Sequence, residues 1–292
     1  MLTEIEWGTD VALSLVAEIW RLDPPESRVI GITGAAGVGK SSLVSRLLAE
    51  YSVEPQRPAV LAIDPSSERT GGSFLGDRVR MAELAPTAFL RSLPNRAIAG
   101  GLAPAAAISI AILARCGFDP VIVETVGIGQ SEVAVSQVAQ TTVTCLAPGL
   151  VDRIQAAKAG LMETADIFAV TKSDLPSARV TVDHVRAMAN LGAHAPGSWR
   201  RPVCAVSART GDGVAELVAS VAGHQDWCRR PDRFEPRSRS LATQCVLWAS
   251  DLLACRAVER ARSQDALGIA SADVASGRLD RIAASRRLLT TP

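Results

Sequence analysis

Residues 34–41, Gly-Ala-Ala-Gly-Val-Gly-Lys-Ser, constrain the fold of this chain more than any other stretch. They match G-x-x-x-x-G-K-[ST], the pattern of a phosphate-binding P-loop. The β-branched run at residues 28–33 predicts a buried strand before the loop, and the amphipathic residues 42–50 predict a helix after it. A glycine-rich turn between a strand and a helix start directs backbone N–H groups and the helix dipole at a phosphate.

Each residue type in this loop has its own expected role. Lys40 is expected to reach the β- and γ-phosphates, and the Ser41 hydroxyl to bind Mg²⁺. Glycines are needed where the backbone approaches phosphate with angles that a side chain forbids. A chance match in a loop rich in glycine and alanine is the alternative, and the flanking strand and helix disfavour it. The predicted nucleotide-binding residues here are Gly34, Ala35, Ala36, Gly37, Val38, Gly39, Lys40, Ser41 and Ser42.

Length and charge limit the class of protein. The 292 residues suit one large α/β domain with an appendage, and 48% apolar residues allow a sizeable core. A net charge of +1 argues against a dedicated nucleic-acid binder or a polybasic membrane binder. The lysines of the chain are Lys40, Lys158 and Lys172, and each falls in or near a candidate nucleotide motif.

The cysteines and the N-terminus favour the cytoplasm. The six cysteines are scattered and form neither C-x-x-C nor a zinc spacing. Cys145 and Cys204 lie in apolar, strand-like runs and are predicted to be buried. The N-terminus is acidic, and no apolar run of about 20 residues predicts a signal peptide or a membrane span. We therefore expect a protein of the reducing cytoplasm.

From residue 28 onward, short apolar runs alternate with helical or loop segments. This alternation predicts βαβ units, that is, an α/β fold with a doubly wound, mostly parallel sheet and helices on both faces. One helix at residues 11–20 is predicted in the short N-terminal segment 1–27, and a buried helix in the second part of residues 97–114. The predicted strands are residues 28–33, 59–64, 88–92, 120–125, 141–146, 167–171 and 202–207.

The character of the chain changes near Asp226, which ends the predicted domain 28–225. A charged linker with prolines occupies residues 229–237, and helices are predicted at residues 240–262 and 271–289. The C-terminal region 226–292 is either a helical pair packed on its own domain or a helical dimerisation arm, and the linker favours the arm. The apolar residues at roughly helical spacing are Val246, Trp248, Leu252, Leu253 and Val258.

Two aspartates are candidate metal ligands. Asp64 ends the second predicted strand, and ligands of doubly wound sheets bind at the carboxyl ends of strands. A carboxylate there can hold Mg²⁺ directly or through water. Asp77 ends a glycine-rich stretch, residues 69–77, that predicts a mobile loop able to close over a γ-phosphate. Taken alone, Asp77 is better explained as the N-cap of a following helix.

The apolar strand at residues 121–125 ends in Glu124, followed by Gly127. These are the positions of the Walker B acid and of the glycine that senses the γ-phosphate in P-loop NTPases. Ile128 stands where many GTPases have a water-orienting glutamine, so we expect slow intrinsic hydrolysis. The residues predicted to act in catalysis are Lys40, Glu124, Gln130 and Lys158, with Arg78 as a further weak candidate.

The last two motifs predict guanine recognition. The strand at residues 167–171 leads into Thr171-Lys172-Ser-Asp174, which matches the guanine-reading motif [NT]-K-x-D. Asp174 can accept hydrogen bonds from guanine N1–H and its exocyclic amine, a pattern that adenine lacks, and the Lys172 stem can pack on the base. The strand at residues 202–207 ends in Ser207-Ala208-Arg209, where the Ala208 N–H is expected to contact guanine O6. The order and spacing of these motifs predict a GTPase.

Five segments together make the chain resemble the MeaB/ArgK family of metallochaperone GTPases. They are Asp64-Pro-Ser-Ser67, Thr70-Gly-Gly-Ser73, Gly76-Asp77, Glu124-Thr-Val-Gly127 and Gly129-Gln-Ser-Glu132. The resemblance is dense over residues 28–208 and looser beyond. It implies a SIMIBI-type P-loop fold with a C-terminal helical dimerisation arm, and binding of GTP and Mg²⁺. It also implies service to an adenosylcobalamin-dependent acyl-CoA mutase, usually methylmalonyl-CoA mutase, by gating cobalamin loading and removal of damaged cofactor.

The resemblance also assigns residue roles, and the sequence departs from the family pattern in three places. Lys40, Ser41, Asp64, Asp77 and Glu124 take phosphate and metal roles, and residues 152–160, with Lys158, match a loop that responds to nucleotide and partner. Thr171 replaces the usual Asn, the N-terminal segment is short, and the loop at residues 152–158 is less acidic than expected. We expect the site to keep its selectivity for guanine with Thr171 in place of Asn, with altered affinity.

Three other classes remain as alternatives. A nickel-chaperone GTPase shares the fold but carries His-rich tails or a Cys/His site, whereas His184, His194 and His224 do not adjoin a cysteine in sequence. A small-molecule kinase needs a second substrate pocket and a base, for which no motif is visible. A signal-recognition-type GTPase needs a targeting module, against which the near-neutral charge argues.

Overall fold

The N-terminal segment holds two helices where the sequence predicts one. In the computed structural model of the chain, the described residues are 2–7, 10–19, 21, 28–52, 56–65, 88–95, 104–125, 134–149, 164–190, 197–230 and 235–290. Helix α1 is Leu2–Trp7 and α2 is Asp10–Ile19. Helix α2 confirms the prediction within one residue. Helix α1 was missed because six residues are too few to show a helical period.

The described residues contain a sheet of seven parallel strands in the order β3-β2-β4-β1-β5-β6-β7. Each strand lies within a few residues of its predicted bounds, so the predicted parallel α/β sheet is confirmed. The strands are β1 (Val29–Thr33), β2 (Ala59–Pro65), β3 (Phe89–Asn95), β4 (Val121–Thr125), β5 (Thr141–Leu146), β6 (Ile167–Val170) and β7 (Val203–Ala205).

Strand β1 lies at the centre of the sheet, and every residue in it is buried. It pairs with β4 on one side, where Ile32 is opposite Glu124, and with β5 on the other, where Thr33 is opposite Thr144. Buried parallel strands of this kind are continuous apolar runs, as the sequence of β1 shows. The P-loop, which follows β1, therefore begins between the carboxyl ends of β4 and β5.

Helices cover both faces of the sheet. Helix α3 (Lys40–Tyr51) and helix α6 (Val214–Cys228) pack on one face, where Leu47 and Leu217 share a core with Val143 of β5. Helix α5 (Ala178–Ala189) packs on the opposite face through Val185. Helix α4 (Pro104–Arg115) is the buried helix predicted within residues 97–114, and both N-terminal helices contact it. A short 3-10 helix, Val135–Gln137, precedes β5.

The C-terminal region is helical, but one predicted helix there is wrong. Helix α7 is Glu235–Ser263, α8 is Ala266–Ala275 and α9 is Arg281–Thr290, so the single helix predicted at residues 271–289 is in fact two. Gly277, with φ 72°, ends α8 in the left-handed conformation. The Asp280 carboxylate then accepts the N–H groups of Ile282 and Ala283 at 2.8 and 2.9 Å and caps α9.

The charged linker is shorter than predicted, because α7 begins at Glu235. Pro236 lies in the first turn of α7, where a missing N–H costs nothing. By packing, the chain divides into two compact units, Met1–Ala242 and Thr243–Pro292. The functional division into segments 1–27, 28–225 and 226–292 stays a prediction.

One stretch among the described residues, Leu241–Arg262 in α7, is long and apolar enough to cross a membrane by length and composition alone. The sequence predicts no such stretch, and this one qualifies although it carries charges such as Asp251 and Arg256. Core helices of soluble proteins meet the same criterion, so the stretch does not by itself indicate a membrane protein.

Candidate nucleotide site

The P-loop conformation depends on its glycines. Gly34 has φ 135°, and a Cβ atom there would lie 2.3 Å from the Cys145 carbonyl oxygen of β5. Gly39, with φ 98°, immediately precedes the first residue of α3. A side chain at Gly34 would therefore both strain the backbone and displace the neighbouring strand. The loop thus turns tightly between β1 and the N-terminus of α3, and a helix N-terminus of this kind is suited to bind an anion.

Lys40 reaches back into the loop that precedes it. It is the first residue of α3 and only 6% exposed. Its ammonium group donates hydrogen bonds to the carbonyl oxygens of Gly34 at 2.8 Å and Ala35 at 3.0 Å. These contacts place a positive charge inside the turn, where a phosphate group would meet it.

Ser41 and Glu124 are in direct contact. The Ser41 hydroxyl donates to Glu124 Oε1 at 2.7 Å, and Glu124 is 7% exposed. The contact follows from the sheet, because β4 is the direct neighbour of β1 and Glu124 is opposite Ile32. A hydroxyl and a carboxylate oxygen are ligand types that Mg²⁺ prefers. The structure thus brings together two of the four predicted metal ligands.

The remaining predicted metal and catalytic residues are described only in part. Asp64 lies on β2, next to β4, one position beyond the Ile63–Thr125 pair, so its backbone is at the carboxyl edge of the sheet. The side chain of Asp64 is not among the described atoms. Outside the described residues lie Asp77, Arg78, Gly127, Gln130 and Lys158, whose roles stay predictions.

Two residues of the guanine motif bind the P-loop directly. The Thr171 hydroxyl donates to the Val38 carbonyl oxygen at 2.5 Å and to the Leu146 carbonyl oxygen at 3.0 Å. The Lys172 ammonium donates to the Gly37 carbonyl oxygen at 2.9 Å, from a backbone with φ 53°. Thr171 therefore joins the guanine motif to the phosphate loop.

Asp174 is held by the loop that follows β7. Ser207 Oγ donates to Asp174 Oδ1 at 2.7 Å, and Arg209 Nε donates to Asp174 Oδ2 at 3.0 Å. The Ser207 hydrogen bond first, and the Arg209 hydrogen bond second, lower the pKa of Asp174 below its ordinary value. Asp174 is therefore ionised at neutral pH and can accept N–H groups from a guanine base.

Arg46 is a residue that the sequence did not indicate. This half-buried side chain of α3 donates from Nε to the Ala208 carbonyl oxygen at 2.6 Å and from Nη2 to the Arg209 carbonyl oxygen at 3.1 Å. A single arginine in an amphipathic helix is typical of a solvated face, and its spacing to residues 208 and 209 forms no motif. No sequence signal could have found it.

Cys145 lies behind the P-loop and takes no chemical part in the site. Both Cys145 and Cys204 are buried, as predicted. Burial raises the pKa of Cys145 to about 12, and the nearby Lys40 charge opposes this rise. The thiol is therefore protonated at neutral pH and acts as a small apolar residue.

The sequence of the chain matches a known family over most of its length. A sequence model of the family described as "Methylmalonyl Co-A mutase-associated GTPase MeaB" matches residues 10–265. The chain belongs to this family. Its members are P-loop GTPases, so the chain is a GTPase that binds GTP and GDP. The resemblance to the MeaB/ArgK family, which the sequence motifs indicated, is confirmed.

Relatives with curated names agree with the family. A protein of Mycobacterium tuberculosis (strain H37Rv), named "Probable GTPase", is 38% identical over 243 residues, which cover 82% of this chain and 71% of that protein. A mouse protein named "Methylmalonic aciduria type A homolog, mitochondrial" is 35% identical over 213 residues, 71% of this chain and 51% of that protein. Together with the family, these names support a GTPase chaperone.

Solved structures confirm the SIMIBI-type P-loop fold. The structure of a LAO/AO transport system kinase superposes with a TM-score of 0.58 and 19% identity, over 98% of this chain and 94% of that one. The structure of HypB from Helicobacter pylori in complex with nickel superposes with a TM-score of 0.51 and 14% sequence identity. The match covers 74% of this chain and 93% of that chain. Identities this low show the fold alone. Among the described residues, no group of three His, Cys, Asp or Glu side chains could hold a metal ion such as nickel.

Proposed function

We propose that this GTPase serves an adenosylcobalamin-dependent acyl-CoA mutase of the methylmalonyl-CoA mutase type. Its role there is to gate the loading of the cofactor and to remove damaged cofactor. The observation that carries the proposal is the family match over residues 10–265, because the family description names the mutase. The mouse relative named for methylmalonic aciduria supports the same partner.

The site also fits Mg²⁺, which we propose as the metal of the GTPase reaction. The fit rests on the 2.7 Å contact between the Ser41 hydroxyl and Glu124, two oxygen donors at one edge of the sheet. In this proposal Ser41 and Glu124 would hold the ion, with Asp64 and Asp77 as further ligands. The ion would neutralise charge that develops on the phosphates.

The chain's own groups position the nucleotide. Lys40, already inside the turn through its bonds to Gly34 and Ala35, contacts the β- and γ-phosphates. Asp174, which is ionised at neutral pH, accepts the N1–H and amine of guanine. We propose that Gln130 and Lys158 contribute to hydrolysis, at a slow intrinsic rate because Ile128 takes the place of a water-orienting glutamine.

We propose that the protein is a cytoplasmic homodimer that binds neither nucleic acid nor membrane. On α7, Val246 and Leu253 are 65% and 56% exposed, and a spacing of seven residues puts them on one face of the helix. An apolar face on a long helix supports a dimerisation arm. Sedimentation velocity tests this: a monomeric wild-type chain would contradict the proposed dimer.

The test of the mutase proposal is GTP hydrolysis by the purified protein, first alone and then with a cobalamin-dependent mutase from the same organism. We expect a slow basal rate that rises several-fold with the mutase. Lys40→Ala removes the ammonium from the phosphate loop and is expected to abolish both rates. The surface variant Arg281→Ala, on α9, serves as the matched control and should keep the basal rate.

The stimulation of GTP hydrolysis must also be specific to the mutase and to GTP. An unrelated protein at the same concentration should leave the rate unchanged, and ATP should not replace GTP. A GTPase rate that no cobalamin-dependent mutase changes would contradict the proposed partner, although the chain would remain a GTPase of this family.

A further inference from the structure

The loop that connects β7 to α6 is fixed from both ends. Ser207 N–H donates to the Asp212 carbonyl oxygen at 2.9 Å, and Gly211 N–H donates to the Ser207 carbonyl oxygen at 2.8 Å. At the far end, Gly213 has φ 73°, and its Cα packs so close to β7 that an added Cβ would lie 1.9 Å from the Ala205 carbonyl oxygen. These contacts hold residues 207 and 211–213, but none of them involves the peptide between Ala208 and Arg209.

The Gly211 hydrogen bond orients the peptide before Ala208. A peptide group is planar and trans, so its C=O and N–H point in opposite directions. The Ser207 carbonyl points at Gly211, and the Ala208 N–H therefore points away from it, out of the loop. Only the torsion angles of Ala208 itself are left to decide how the next peptide lies.

Arg46 fixes that next peptide. Its Nε group binds the Ala208 carbonyl oxygen at 2.6 Å and its Nη2 group binds the Arg209 carbonyl oxygen at 3.1 Å. A guanidinium group is a rigid planar fork, so two bonds from it set both position and direction. With the Gly211 bond, the Arg46 bonds hold the peptides on both sides of Ala208 Cα.

Arg46 also connects this loop with the phosphate loop. It lies on α3, six residues after Lys40, and α3 begins directly after the P-loop. Arg46 is half-buried, and the helix that carries it shares a core with Leu217 and Val221 of α6. The helix that binds phosphate at its N-terminus thus holds the backbone that faces the base.

We propose that Arg46 is a positioning residue for base recognition: by fixing the peptide after Ala208 it completes, with the Gly211 hydrogen bond, the loop conformation in which the Ala208 N–H donates to guanine O6. The proposal rests on the GTP binding of this family and on the predicted Ala208–O6 contact, and it is independent of the mutase partner. Without Arg46 the peptide after Ala208 loses its charged donors, the loop samples other conformations, and the O6 contact weakens. Contacts to the phosphates and to the guanine amine remain.

The test compares nucleotides that differ at the base, bound to wild type and to Arg46→Ala in the absence of any mutase. GDP and inosine diphosphate both carry O6, whereas 2-aminopurine riboside diphosphate keeps the amine and lacks O6. We expect Arg46→Ala to weaken GDP and inosine diphosphate about tenfold each, equivalent to about 1.4 kcal/mol. Binding of 2-aminopurine riboside diphosphate should change less than about twofold. Isothermal titration calorimetry gives all three dissociation constants.

The hydrolysis kinetics separate positioning from catalysis. At saturating GTP the kcat of Arg46→Ala should equal that of wild type, while its KM should rise with the GDP dissociation constant. Glu50→Ala, an exposed position at the end of α3, is the matched control and should leave all three affinities unchanged.

Two results would overturn the proposal. If Arg46→Ala weakens all three nucleotides equally, the side chain supports the phosphate loop or the whole domain, and not the base contact. If it weakens none, the two hydrogen bonds do not matter for recognition. Should Arg46→Ala fail to fold, Arg46→Lys carries the same test: one ammonium replaces the fork, so an intermediate loss is expected for GDP and none for the 2-aminopurine nucleotide.

Discussion

Removing the Thr171 hydroxyl tests how the guanine motif is joined to the phosphate loop. Thr171 is 4% exposed, and its hydroxyl donates to the carbonyl oxygens of Val38 and Leu146. Thr171→Val keeps the shape of the side chain and deletes only these bonds. The Leu146 carbonyl still receives the Thr171 N–H at 2.8 Å, so the Val38 carbonyl is the group that loses its side-chain donor.

The expected cost follows from that difference. A buried polar group left without its donor costs about 1–3 kcal/mol. Because one carbonyl is affected rather than two, we expect Thr171→Val to lower the free energy of unfolding by about 2 kcal/mol. Thr171→Asn introduces the other residue that the [NT]-K-x-D motif allows, and its amide supplies two N–H donors. We expect this variant to lose less than about 1 kcal/mol.

Urea unfolding followed by far-UV circular dichroism measures both variants. Thr210→Val is the matched control, because the Thr210 hydroxyl bonds Asp212 at an exposed site and should change stability by less than about 0.5 kcal/mol. If Thr171→Val is as stable as Thr210→Val, the hydroxyl does not hold the phosphate loop and the reasoning is wrong.

Two further predictions concern the loop before α6 and the cysteines. Gly213→Ala should destabilise the protein by at least about 2 kcal/mol more than Gly211→Ala in urea unfolding. Both glycines have positive φ, but the new Cβ meets the Ala205 carbonyl at Gly213 and meets nothing within 4 Å at Gly211. Equal losses of stability in the two variants would contradict this reasoning. Iodoacetamide at pH 8 should modify exposed Cys116 and spare buried Cys145, because burial raises the pKa of Cys145 to about 12. Peptide mass spectrometry identifies the modified cysteines, and early modification of Cys145 would contradict its burial.

The sheet and the phosphate loop were predictable from the sequence for a physical reason. Strands buried on both faces must be continuous apolar runs, so β1 and β6 were recognisable without tertiary information. Backbone that approaches phosphate must be glycine-rich, and Gly34 is required by its distance to β5. Where burial, or close approach of the backbone to a neighbouring group, restricts the residue type, the local structure can be predicted from the sequence.

The parts that the sequence did not predict depend on contacts between distant segments. The bonds from Arg46 to residues 208 and 209 join positions about 160 apart and require only a long donor at the right place on a helix. The break at Gly277 was missed because an isolated glycine is tolerated within a helical pattern, and because the Asp280 cap is visible only as a contact. Such features leave no periodic signal.

The strand order has a consequence for how nucleotide preference can change. On one side of β1 lie β4 and β2, whose ends carry Glu124 and Asp64. On the other side lie β5, β6 and β7, which lead to the residues predicted to face the base. In the proposed site, Lys40, Ser41 and Glu124 form a phosphate module, and residues 171–174 with residues 207–209 form a base module. We therefore expect a change from guanine to another base to require substitutions in the base module and at its contacts with the phosphate module. The contacts between the two modules would have to change with the base: Lys172 and Thr171 bind the P-loop, and Arg46 binds the loop that contains Ala208.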